Sequence, residues 1–280
     1  MRDEYVFTSG GFEAKSLDEI KKVAPAAFSK GVDPVVSDRY SRVDTIDLVK
    51  GLDKHGWQPV SARQVGEGKW GRHIIRLTNK KSGIIKVGGI TAQMIIDNSY
   101  DGTSLGNFSA GAFRKACANG LTVGIPGLAT TYSFKHIGID DNKLKEILEQ
   151  AIQDFGTIQE HIEMMQDTPL SDKQKVAFVM KAVAQRDPQL YVNEKGKLDG
   201  VLLKRMNNLE ELLKPIRDND KGPELWKVFN VIQEKLIRGG YRRISEKGRK
   251  VSVPGIGNPI RNVAFNRQLW NLAETYLPKS

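Results

Sequence analysis

The apolar residues of this chain change their spacing twice, and that restricts the folds open to it. From Ser16 to His55 they recur at helical intervals: Leu17, Ile20, Val23 and Ala24, then Ile46, Val49 and Leu52. From Trp57 to Ser99 the pattern is extended. Beyond about residue 140 helical spacing returns and persists to the C-terminal region. The sequence therefore predicts an α+β protein. N-terminal helices precede a small antiparallel β-sheet bearing a basic hairpin, and a largely α-helical C-terminal half follows. A boundary near 140 divides the chain into an α+β domain, 1–140, and a helical region, 141–280; the long helix that opens the second could also join both into one body.

Local signals refine this plan. Ser16 and Glu19 form a capping-box pair at the start of a helix that Pro25 ends or bends. Thr45 is the expected cap of a helix running to His55, stopped by Gly56. Trp57–Val65 and Arg72–Thr78 read as strands around the tip Gly66-Glu67-Gly68-Lys69; Lys80–Gly83 is a second turn and Gln93–Ser99 a third strand. The tip would project cations together with Trp70. Phe113, Ala116 and Cys117 recur at i, i+3, i+4, so Ala110–Asn119 is expected to be a helix, followed by a short strand at Leu121-Thr122-Val123. Lys143–Met165 is a long helix, Ser171 caps another through about Ala184, and Asp199–Leu213 is a third, ended by Pro215. Leu225–Ile237 is closed by Gly239-Gly240; Tyr241–Pro259 reads as a mobile basic loop, and a final helix runs from about Asn262 to Tyr276.

Charge is unevenly placed. The 280 residues carry 43 Lys+Arg against 33 Asp+Glu, a net +10. Arg63–Lys86 holds seven cations and one Glu, and Lys235–Arg261 holds eight cations and one Glu, so the rest of the chain is net −3. Either cluster could be a solvated face, but two in an otherwise slightly acidic chain point to a polyanion, most commonly nucleic acid. An anionic membrane would favour a basic amphipathic helix, and neither cluster has that pattern. On the nucleic-acid reading Arg63, Lys69, Arg72 and Arg76 track phosphates. Trp70 or Tyr241 stacks on bases, and Arg238, Arg242, Arg243, Arg249 and Lys250 form a second contact.

Several classes are disfavoured. One cysteine, Cys117, cannot build a disulfide scaffold. No apolar run approaches the roughly 18 residues of a spanning helix. Met1–Gly11 does not read as a signal peptide, so a cytoplasmic location is expected. His55, His73, His136 and His161 lack partners at metal-ligand spacing, so no metal is expected. No Gly-x-Ser-x-Gly elbow, Walker lysine or dinucleotide fingerprint appears, so no cofactor is expected.

The most distinctive segment is Asn98-Ser99-Tyr100-Asp101-Gly102-Thr103-Ser104. Its bland reading is a turn closed by local side-chain hydrogen bonds. Its functional reading is a polar loop facing a ligand through Asn98, Ser99 and Asp101, with Arg114 binding phosphate at the start of the following helix. With Gly111–Arg114, Cys117 and Asn119–Leu121, this segment resembles the signature of the phage/plasmid-like family of bacterial mobile elements, catalogued as a domain of unknown function. Gly56–Pro59, Leu225-Trp226, Gln233-Glu234 and Asn266–Glu274 extend the resemblance to nearly the whole chain; Pro169–Pro223 matches least. The resemblance implies prophages and plasmids as a setting and supplies no catalytic residues.

Three functions are open at this point. One is a protein that binds single-stranded DNA in replication or recombination, including strand annealing as a homo-oligomer; the element order is loosely similar to ring-forming annealing proteins. Another is a counter-defence protein that binds a host restriction or nuclease component. The third is a nucleic-acid-processing enzyme using the Asn98–Asp101 loop, Arg114 and His136, disfavoured because no carboxylate cluster for metal ions is legible.

Overall fold

The structure, a computed structural model, describes residues 13–36, 42–79, 90–102, 106–114, 119–122, 131–134, 141–188, 209–245 and 247–278. The chain divides into two compact units, 1–159 and 160–280.

The first unit begins with α1 (Leu17–Val23), whose capping box is complete: the Ser16 hydroxyl accepts from the Glu19 backbone N–H, and the Glu19 carboxylate accepts from the Ser16 N–H at 2.8 Å. Pro25–Phe28 forms one 3-10 turn. Helix α2 spans Thr45–Lys54, capped by the Asp44 side chain rather than by Thr45. Thr45 is the first helical residue, and its hydroxyl is committed to the interior instead.

Strands β1 (Trp57–Gln64), β2 (His73–Asn79) and β3 (Ile90–Asn98) pair antiparallel as the extended pattern requires, with a bulge at Pro59/Ser61, where proline cannot donate. The sheet then continues. Gly106–Arg114 is β4, paired antiparallel to β3 from Ile90↔Arg114 to Asp97↔Asn107. Asn119–Thr122 is β5 and Thr131–Phe134 is β6, both paired to β4. The described part of the helix expected over Ala110–Asn119, residues 110–114 and 119, is therefore strand instead. Phe108, Ala110 and Ala112 alternate at strand spacing, Gly106 and Gly111 are poor helix formers, and the pairing with β3 overrides the local i, i+3, i+4 pattern. Cys117 and His136 lie outside the described residues, as does the turn at Lys80–Gly83.

The sheet is two-faced. Pro59, Leu77 and Met94 lie in one row, and Ala62, Ile75, Ile96 and Phe108 in the next. This apolar face carries α2 and the stacked pair Trp57–Phe155, with Leu52, Ile75, Leu77, Met94, Phe108 and Phe155 fully buried. The other face is mostly polar, with rows Gln58–Thr78–Gln93, Ser61–Arg76–Ile95–Ser109 and Arg63–Ile74–Asp97–Asn107. Its central residues Arg76, Thr78, Gln93, Ile95 and Ser109 are nevertheless buried.

Helix α3 (Asp141–Asp167) runs through the boundary between the units. The second unit contains α4 (Asp172–Arg186), α5 (Leu209–Leu213), α6 (Leu225–Arg238) and α7 (Pro259–Glu274). Ser171 caps α4 as expected, in a box with Gln174. Of the helix expected over Asp199–Leu213, residues 209–213 are described and helical. Trp226, Phe229 and Trp270 form the aromatic centre, with ring centroids 5.7 and 6.0 Å apart in sequence. Glu274 accepts from Trp270 Nε1 at 2.7 Å and pairs with His161 Nδ1 at 2.7 Å. The α+β architecture read from the sequence is the one formed. No helix of the described residues is long and apolar enough to cross a membrane.

Candidate nucleic-acid interface

The second basic cluster is organised by a chain reversal. Helix α6 ends at Gly239, at φ +72°, where a Cβ would meet Val253 O at 2.5 Å and Gly255 N at 2.6 Å. Only glycine permits that approach. Gly240 N–H then donates to Val253 O at 2.8 Å, and Val253 N–H to Tyr241 O at 2.9 Å. The stretch expected to be an irregular loop is thereby drawn into a hairpin, β7 (Arg242–Ile244) against β8 (Lys250–Ser252). Its tip is closed by Ser245, whose carbonyl accepts from Gly248 N–H and whose hydroxyl accepts from Arg249 N–H.

On this hairpin Arg242, Lys247, Arg249 and Lys250 are exposed, and Arg243 is half-buried. Register sets Arg242 opposite Ser252 and Lys250 opposite Ile244 on one face, with Arg243 opposite Val251 on the other. Among the described residues, no carboxylate pairs with any of the five cations. Two expected members of this contact are placed differently. Tyr241 is buried, and its hydroxyl accepts from Arg186 Nη1 at 3.0 Å, so its ring anchors the hairpin rather than offering a stacking face. Arg238 pairs with Glu234 at 2.7 Å across one helical turn.

The first cluster is dispersed by the fold. Lys69 is exposed, with its ammonium 5.0 Å from the Trp70 ring centroid, and Arg63 is exposed on β1. Trp70 is half-buried; its Nε1 is enclosed and has no hydrogen-bond partner among the described residues, and its carbonyl accepts from Tyr100 N–H at 2.8 Å. Arg72 is spent on Asp97, which it meets through Nε at 2.8 Å and Nη2 at 2.5 Å; these bonds raise its pKa further. Arg76 is only 8% exposed, so it cannot lie along a strand backbone at the surface; burial lowers its pKa to about 10, leaving it charged at neutral pH. Arg114 is the last residue of β4, opposite Ile90 and Asn119, not at a helix N-terminus, so no helix dipole assists it.

The Asn98–Asp101 segment is an internal tie. Asn98 and Ser99 are fully buried. Asn98 Nδ2 donates to Val43 O at 3.1 Å and to Thr45 Oγ1 at 2.9 Å, while its Oδ1 accepts from Ser99 N–H. Tyr100 OH lies 2.9 Å from Thr45 Oγ1 and accepts from Thr45 N–H at 2.9 Å. With two donors already on it, Thr45 Oγ1 has its proton for His73 Nε2, 2.8 Å away, and the His73 Nδ1 proton then goes to Gly71 O at 3.0 Å. Burial holds the His73 imidazole below its usual range. Asp101 is half-buried and acts on Arg72 electrostatically. Asn98 fastens the end of β3 to α2, and Ser99 is buried beside it with its N–H on the Asn98 side chain. The hub members Thr45 and His73 were missed because they are 28 residues apart and neither stands in a motif.

Among the described residues, no group of three His, Cys, Asp or Glu could hold a metal ion.

Residues 34–270 match the family described as a domain of unknown function, DUF932. The chain belongs to that family. It is also similar to two proteins of Escherichia coli (strain K12), UPF0380 protein YafZ and UPF0380 protein YfjQ. Each is 27% identical over 270 residues, covering 93% of this chain and 90% of the relative. No solved structure matches the chain significantly. Family membership agrees with the resemblance to a domain of unknown function and carries no activity with it.

Proposed function

We propose that this DUF932 protein binds nucleic acid, preferentially single-stranded DNA, through phosphate contacts centred on the β7–β8 hairpin. The observation that carries the reading is the set Arg242, Arg243, Lys247, Arg249 and Lys250 on the one hairpin Arg242–Ser252, without a carboxylate partner among the described residues. Cations held apart from counter-ions are the form in which lysine and arginine release counter-ions from a polyanion. Lys69 and Arg63 supply a smaller contact in the first unit. The setting is replication or recombination of a mobile element in the bacterial cytoplasm, which rests on the resemblance to the phage/plasmid-like family. Burial of Tyr241 leaves the stacking role to the half-buried ring of Trp70.

Fluorescence anisotropy with a labelled single strand and a matching duplex, across a salt series, tests this. The expected result is tighter binding of the single strand with a steep fall as salt rises. Absence of binding to both at low salt overturns it, and the hairpin cations would then face an acidic protein such as a host defence component.

A further inference from the structure

Among the described residues two arginines are buried, Arg76 and Arg186, and they are treated very differently. Arg186, 5% exposed, has four of its five N–H donors engaged: Nε donates to Leu236 O at 2.8 Å, Nη1 to Asp187 Oδ2 at 2.6 Å and to Tyr241 OH at 3.0 Å, and Nη2 to Pro254 O. Its charge is met by Asp187. Arg76, 8% exposed, has one side-chain hydrogen bond among the described residues, Nη1 to Gln93 Oε1 at 3.4 Å, near the outer limit of such a bond. A guanidinium carries five N–H donors and cannot shed its charge at neutral pH. Among the described residues no carboxylate reaches it; the nearest acid in the same sheet face, Asp97, is occupied by Arg72. A buried cation with so little compensation is costly to hold, and an anion bound against it would offset that cost.

The surroundings fit an anion. Arg76 sits in the row Ser61–Arg76–Ile95–Ser109, beside Thr78 and Gln93. Ile95, directly opposite, is apolar, while Ser61, Thr78, Gln93 and Ser109 are neutral and polar, so they do not repel negative charge. In a site shielded from water, the fork of a guanidinium binds two oxygens at once with more force than at the surface.

We propose that Arg76 heads an oxyanion-binding site on the polar face of the sheet, taking a small phosphate- or carboxylate-type anion. The site is separate from the hairpin and does not rest on the nucleic-acid reading.

The test follows thermal unfolding of the full chain while inorganic phosphate, or in a second series acetate, replaces chloride at constant ionic strength. One of the two should raise the midpoint saturably, as a ligand of the native state does. Arg76→Met should abolish that rise, and Arg76→Lys, which loses the planar fork, should weaken the anion roughly tenfold. The assignment is overturned if neither anion does more than chloride. It is equally overturned if Arg76→Met responds as the parent does, since the response would then belong to the hairpin cations. Where Arg76→Met does not fold, the Nε–H resonance of Arg76 in the parent decides: it moves with added anion if the site exists and stays fixed if it does not.

Discussion

Thr45 shows what a single side chain can hold. Its hydroxyl joins α2 to β2 and β3 by accepting from Asn98 and Tyr100 and donating to His73. The orientation works only with a neutral imidazole, because a protonated His73 would present two donors and the Thr45 proton would have no acceptor. The sign of the pH dependence follows. Burial depresses the folded-state pKa of His73 below its unfolded value, so the unfolded chain takes up the proton first as pH falls. The stability it contributes is complete above about pH 6.5, the ordinary histidine value, and is lost as pH drops from there through the folded-state pKa. Denaturation at pH 7.5 and at pH 5.5 should therefore show a drop for the parent that is smaller in His73→Gln. Equal drops in both would show that His73 is not the group responsible. The sequence offered Asn98, Ser99 and Tyr100 as a recognisable string, but their role depended on Thr45 and His73. Polar contacts across 53 and 55 residues are set by strand register, which no local pattern encodes.

Elements were legible where period and punctuation agreed. The α1 box at Ser16 and Glu19, the β1–β2–β3 order, and the stop of α6 at Gly239 all follow from residues adjacent in sequence. Strand β4 was not legible, because Phe113, Ala116 and Cys117 also fit a helix and only pairing with β3 decides between the two. The β7–β8 hairpin was hidden for a related reason. Its strands are three residues each, and a glycine approach to Val253 and Gly255 holds them in place, not a hydrophobic alternation. That approach separates two glycines with similar backbone angles. At Gly239, φ +72°, a methyl group collides with backbone at 2.5 Å; at Gly248, φ +73°, it meets nothing within 4 Å. Gly248→Ala should cost about 1 kcal/mol, from the left-handed conformation alone. Gly239→Ala adds displacement of the Val253–Gly255 backbone and should cost about 3 kcal/mol or more. Urea unfolding of both variants measures the difference, and equal losses would mean that the close approach contributes nothing.

At the scale of the whole molecule, the net charge of +10 sorts into cations with partners and cations without. Counting along the sequence weighs Arg72, Arg76 and Arg238 equally with Arg249, because ionisation is a property of residue type. The fold removes the equality. Arg72 is committed to Asp97, Arg238 to Glu234 and Arg261 to Asp187, whereas Arg242, Arg249 and Lys250 stand on the hairpin without a carboxylate among the described residues. The two classes should respond oppositely to neutralisation. Replacing Arg242, Arg249 and Lys250 together by Ala removes three phosphate contacts, so the slope of log binding constant against log salt should fall by about three, with little change in unfolding midpoint. Arg72→Ala should leave that slope unchanged. It should instead destabilise the fold by about 2 kcal/mol, because a half-buried Asp97 loses both charge-assisted bonds. Anisotropy and denaturation on the same two variants read both quantities. A reduced slope in Arg72→Ala, or an unchanged slope in the triple variant, would place the nucleic-acid contact somewhere other than the hairpin.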